Sequence, residues 1–153
     1  MTLIEAAMVT VIIGVGVLGM LQLLAVGTVS NSEGTELTTA INLADNIREI
    51  SLGMRFNDPE QPATWQTKEA SLGLYDDVLD LDDTEFSPPI NVLRQPINEY
   101  TGWKQIVKVE SVDENWVNKT VPDTTAQPTA WVTVTITRHN QPVYTMSWLA
   151  VAR

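Results

Sequence analysis

The pattern of apolar and polar positions changes character twice along the chain. From Ala6 to Val29 run 24 residues without a charge, and only Thr10, Gln22 and Thr28 among them are clearly polar. A helix of that length spans roughly 36 Å, enough for a hydrocarbon core of about 30 Å, and it lacks the polar face of a surface helix. Next, Ser30-Asn31-Ser32-Glu33 matches a capping box, and Gly34 is a point where the chain can bend. Helical spacing then resumes. Leu37, Ile41, Ala44, Ile47, Ile50 and Met54 recur every three or four residues, opposite Asn42, Asp45, Asn46 and Glu49. This predicts an amphipathic continuation that ends at Gly53 and covers a sheet.

Residues 57–102 are punctuated by Asp58-Pro59, Gln61-Pro62, Ser87-Pro88-Pro89 and Gln95-Pro96, and read as an irregular connection. The last third has a period of two. Ile106–Val112 is one strand. Trp131–Arg138 sets Val132, Val134 and Ile136 against Thr133, Thr135 and Thr137. Val143–Val151 sets Tyr144, Met146, Trp148 and Ala150 against Thr145, Ser147 and Leu149. His139-Asn140-Gln141-Pro142 joins these two as a hairpin, and polar Asn118–Thr129 reads as a loop. The expected fold is α+β: one long N-terminal helix over about residues 2–53, packed on a small antiparallel sheet. Residues 1–30 form its hydrophobic half. Residues 31–153 form a head, with the amphipathic half of the helix, an acidic loop over about 57–102 and the sheet over about 103–153.

Charge sharpens this division. Residues 1–31 hold one charged side chain, Glu5, whereas the remainder holds 18 acids and 9 bases. Such an acidic head stays soluble when crowded and is a poor match for nucleic acid, so no direct nucleic-acid binding is expected. With no cysteine, the head must be held by its core. The apolar run is too long for a signal-peptide core and follows an acid rather than a basic segment. No Lys or Arg precedes Arg48, although membrane anchors normally carry basic flanks on the cytoplasmic side. The expectation is that a basic leader preceded Met1 and was removed.

The chain opens Met1-Thr2-Leu3-Ile4-Glu5, directly ahead of the apolar run. This start resembles the mature N-terminus of type IV pilins and of the related pseudopilins of type II secretion. There a leader peptidase cuts before an apolar residue, usually Phe, where this chain has Met1. The resemblance implies N-methylation of Met1, a ladle-shaped fold, and a Glu5 that pairs with the Met1 amine of a neighbouring subunit. Thr2 and Glu5 also have the spacing of a capping box, which gives Glu5 a purely local role as the alternative. Many pilins have a proline where this chain has Gln22, with a looser helix nearby; Gly14, Gly16 and Gly19 are candidates for the same loosening. The segment Gly16–Gln22 is similar to the minor-pilin branch. The partners implied are further copies in a helical filament, the inner membrane before assembly, the prepilin peptidase and the pilus assembly platform. Two other readings stand beside a structural pilus subunit. One is a pseudopilin or minor initiating subunit; the other is a membrane-tethered monomeric binding module.

The densest polar feature is Tyr75-Asp76-Asp77-Val78-Leu79-Asp80-Leu81-Asp82-Asp83. With Ser87-Pro88-Pro89 and Gly102-Trp103 it is similar to the αβ-loop of minor-type pilins. Asp76, Asp77, Asp80, Asp82 and Asp83 are candidate calcium ligands, since clustered carboxylates supply the oxygens that ion takes. EF-hand spacing is absent, and the alternative is a solvated acidic loop with Tyr75, Val78 and Leu81 turned inward. Asn118-Lys119-Thr120 matches a glycosylation acceptor, and Thr124, Thr125 and Thr129 are further candidate sugar carriers. No phosphate loop, metal-ligand spacing or nucleophile elbow is present, and the single histidine, His139, falls in a turn. No catalytic residue is expected, and no cofactor other than calcium. Residues 1–55 contain no Phe, Tyr or Trp.

Overall fold

A computed structural model describes residues 2–58, 68–122 and 127–152. The chain is α+β: one long N-terminal helix, α1 (Leu3–Gly53), and an antiparallel sheet of five strands. Contacts divide it into two units, Met1–Thr38 and Thr39–Arg153. The boundary falls eight residues later than the change in hydropathy at Ser30.

Helix α1 is unbroken. The capping pattern at Ser30–Glu33 does not start a new helix, and α1 runs on through Gly34; the hydroxyls of Thr35 and Thr38 donate to the carbonyls of Asn31 and Gly34 one turn back. The helix is also continuous through Gly14, Gly16 and Gly19, with open space beside each of the three. It ends at Gly53, as its sequence predicts.

In the second unit the buried face of α1 is Ala40, Leu43, Ala44, Ile47, Ile50 and Ser51. This corrects the stripe expected from spacing alone. Leu37 is exposed and Ile41 only half-buried, whereas Leu43 is among the largest fully buried side chains. Asn46, expected on the solvent side, is half-buried, and its amide is 3.4 Å from the Ile90 carbonyl. An aliphatic residue beside the true stripe satisfies helical spacing nearly as well as one inside it.

The strands are β1 (Thr84–Phe86), β2 (Trp103–Asp113), β3 (Trp116–Thr120), β4 (Thr129–Arg138) and β5 (Gln141–Val151). The sheet order is β1-β2-β4-β5, with β3 hairpinned onto the end of β2. The three predicted strands are present and longer than predicted. Val132, Val134 and Ile136 are fully buried, and Tyr144, Met146, Trp148 and Ala150 pack against the same core. Strands β1 and β3 were not expected. The first is three residues long, and every residue of the second is exposed, so neither leaves an alternating trace.

The β4–β5 turn is two residues, His139 and Asn140, both with positive φ (50° and 63°), as a type I′ hairpin requires. Gln141 and Pro142 already belong to β5, with a bulge opposite Ile136/Thr137. Proline is tolerated there because β5 is an edge strand. The turn is seated on Gly102, whose carbonyl accepts the His139 N–H at 2.8 Å. A Cβ on Gly102 would come within 2.9 Å of His139 Nε2, and its φ of +81° also favours glycine.

Between helix and sheet lies a buried amide. Gln105 on β2 is fully buried. Its Oε1 accepts the Ile90 N–H at 2.7 Å, and its Nε2 donates to Leu43 O at 2.8 Å and Ile90 O at 3.1 Å. It thereby ties α1, the irregular segment and the sheet together. Gln105→Leu keeps the volume but leaves the Ile90 N–H unpaired in the core, which should destabilise the head by about 2 kcal/mol. Denaturant unfolding of the full chain in detergent checks this; an unchanged midpoint would show the amide to be dispensable.

Candidate functional site

Two places carry chemistry: the first turn of α1 and the acidic segment Glu69–Asp83. Thr2 is the N-cap of α1, since the N–H groups of Glu5 and Ala6 reach its carbonyl at 3.1 and 3.3 Å. Glu5 returns the contact, Oε2 accepting the Thr2 N–H at 3.1 Å. That is the glutamate half of a capping box, so the local role foreseen for Glu5 is present. Met1 lies outside the described residues. Every large apolar side chain from Leu3 to Val29 is exposed, and the helix is long and apolar enough to cross a membrane. In water so much apolar surface would be strongly unfavourable; in lipid, or against other helices, it is satisfied.

The acidic segment turns Tyr75, Val78 and Leu81 inward, as the solvated-loop alternative expected, and leaves Asp76 and Asp83 exposed, but two of its aspartates are not solvated. Asp77 and Asp80 are buried, along with Val78, Leu79 and Leu81; Tyr75 is half-buried. Asp77 Oδ1 accepts the N–H groups of Leu79 (2.7 Å) and Asp80 (3.1 Å), holding a short 3-10 turn at Leu79–Leu81. Asp80 answers with Oδ2, which accepts from Asp76 (3.0 Å) and Asp77 (3.3 Å), and with Oδ1, which accepts from Glu69 (3.3 Å). Asp82 Oδ1 accepts the Val109 N–H of β2 at 2.7 Å. These carboxylates act as backbone acceptors for a chain segment with no ladder of its own. Arg94 closes the other side, Nη1 donating to Tyr75 O at 2.6 Å and Leu72 O at 3.3 Å.

Glu69 is the group that the sequence reading missed. Among the described residues, carboxylate oxygens converge in two trios: Glu69, Asp76 and Asp80, and Asp58, Asp76 and Asp77. Of the five candidate calcium ligands the structure therefore brings together Asp76, Asp77 and Asp80 and leaves out Asp82 and Asp83, which is exposed. Glu69 Oε2 is buried without a hydrogen-bond partner. Calcium takes six to eight oxygens, and the Asp77 and Asp80 oxygens are largely committed to amides. The hydrogen bond that a protonated Glu69 would donate to Asp80, with burial and the nearby negative charges, pushes the Glu69 carboxyl up to about 7. Burial, then the charge of Asp80, pushes Asp77 up to about 6, although amide N–H groups partly oppose this. The signal was available in the spacing: an acid eleven residues before Asp80 reaches it only if the intervening loop folds back.

Asn118, the glycosylation candidate, is exposed on strand β3 rather than in a loop. Thr129 is buried and donates its hydroxyl to Val112 O at 2.9 Å, so it is not an available sugar carrier. Thr124 and Thr125 lie outside the described residues.

Folded Glu69 and Asp77 hold protons at pH values where their unfolded counterparts, near 4.5 and 3.8, have released them. Their contribution to stability is complete at low pH and is lost as pH rises through about 6 and then about 7. The denaturation midpoint of the head should therefore fall between pH 5 and pH 8. Glu69→Gln, which cannot ionise, should raise the midpoint at pH 8 and flatten that slope. A midpoint that rises with pH over this interval would contradict the carboxyl pairing.

Comparison of the chain with family models, curated proteins and solved structures finds no match.

Proposed function

We propose that this chain is a structural subunit of a type IV pilus-like filament. The apolar half of α1 holds it in the bacterial inner membrane before assembly, and the same helix then packs against other copies while the acidic head faces outward. One observation carries the reading: a helix whose apolar side chains are all exposed from Leu3 to Val29, opened by a lone carboxylate at Glu5. A simple anchor needs the apolar length and not the acid, which is costly at a membrane edge unless it is paired. The half capping box accounts for Glu5 Oε2. The Met1 amine of a neighbour would partner the remaining oxygen, and the prepilin peptidase that exposes that amine and the assembly platform follow from the same resemblance. A pseudopilin or minor initiating subunit uses the same helix in a shorter assembly; a monomeric membrane-tethered module uses it with lipid alone.

Glu5→Ala is the test. The variant should stay in the membrane, folded and at normal abundance, while filament yield falls at least tenfold, since one unpaired amine per subunit is left in the apolar core at a cost of roughly 2 kcal/mol or more. Sheared-filament yield against membrane abundance is the measurement. Wild-type yield from Glu5→Ala would leave Glu5 with capping alone, and absence of any filament from the wild-type chain would favour the tethered module.

A further inference from the structure

The apolar run contains three polar side chains, and two of them are satisfied inside the helix. The Thr10 hydroxyl donates to Ala6 O at 2.9 Å and the Thr28 hydroxyl to Leu24 O at 2.6 Å. Gln22 makes no such bond and is exposed. Its carboxamide offers two N–H donors and an acceptor oxygen. In hydrocarbon there is no water to take them up, so an isolated amide at this position is unfavourable.

The surroundings of Gln22 on the helix permit a close neighbour. Residues three and four apart share a face, so Gly19 and Ala25 flank Gln22, with Leu18 and Val26 beside them. The space where a Cβ of Gly19 would stand is open. Small residues at such spacing let a second helix approach to backbone distance.

Depth identifies that helix. The uncharged run from Ala6 to Val29, bounded by Glu5 and by polar Ser30–Glu36, fixes how the span sits in a bilayer. Copies inserted in the same direction therefore carry Gln22 at the same level. A carboxamide is donor and acceptor at once, so the same residue of a parallel copy completes it, whereas a soluble partner does not reach that depth. We propose that two copies of this chain pair in parallel register within the membrane, through a Gln22–Gln22 hydrogen bond across the Leu18, Gly19, Ala25 and Val26 face. This rests on the reading of α1 as a membrane-inserted helix and does not require a filament.

The chain has no cysteine, so single-cysteine variants report the interface without background. The full chain carrying Leu18→Cys, Val26→Cys or Leu24→Cys is reconstituted in phosphatidylcholine vesicles and oxidised. Covalent dimers should form through positions 18 and 26, beside Gln22, and not through position 24 on the opposite face. Adding Gln22→Leu should weaken dimerisation roughly three- to fifteen-fold, the range of polar contacts between membrane helices, while Gln22→Asn should retain much of it. Equal cross-linking at positions 18 and 24, no cross-linking at all, or dimers indifferent to Gln22→Leu would each overturn the pairing while leaving insertion intact. Release of the chain from vesicles by alkaline extraction would instead overturn the membrane reading, and the pairing with it.

Discussion

The amide of Gln105 is the contact on which the arrangement of the second unit depends. It reaches 62 positions back to the Leu43 carbonyl and 15 back to both backbone groups of Ile90. Among the described residues between α1 and β2 only the short strand β1 joins the sheet, so side chains acting as backbone partners help to set the place of this segment against the core, beside the backbone bonds between Arg55 and Asp76–Val78. Gln105 does this from within the core, and Asp77, Asp80 and Asp82 do it at the margin. Leu43 and Ile47 on one side and Val107, Val132 and Val134 on the other can close over the amide because it leaves no polar atom in need of water.

What could be read from sequence was what periodicity encodes. The uncharged run, the amphipathic continuation, the stop at Gly53 and the alternation in β4 and β5 all follow from the spacing of side chains around regular backbone. The exact azimuth of the helix stripe did not follow, because Leu37 and Ile41 fit the period as well as Ala40 and Leu43. Only contact with the sheet separates the two sets. Strand β3 escaped because exposure on all sides erases alternation. Gln105 escaped for the opposite reason: it stands at a buried position of β2, and its polarity counts against burial unless the Ile90 amide is already known to lie opposite.

The acidic segment shows the same limit in electrostatic form. A run of aspartates suggests solvent or a cation, yet the buried pair Asp77 and Asp80 mostly hold amide protons. The role of each carboxylate is fixed by which N–H groups the turn presents. The cost of gathering like charges falls on Glu69, whose Oε2 is left without a donor. Protonation is how a carboxyl in that position relieves both the burial and the repulsion. The candidate site is thus a feature of the folded loop, and composition located it only approximately.

The aliphatic character of α1 has an optical consequence. Every ring in the chain lies at Phe56 or beyond, and the tryptophans belong to the second unit. Among the described tryptophans, Trp103 is buried under the Arg138 guanidinium, 5.4 Å from the ring centroid, while Trp116 stands in the open at 67% exposure. Near-ultraviolet absorbance and aromatic fluorescence therefore come from residues 56 onward, and the apolar half of α1 is transparent at those wavelengths. Light at those wavelengths reports folding, quenching and solvent contact of the second unit, and residues 1–55 add nothing to the signal.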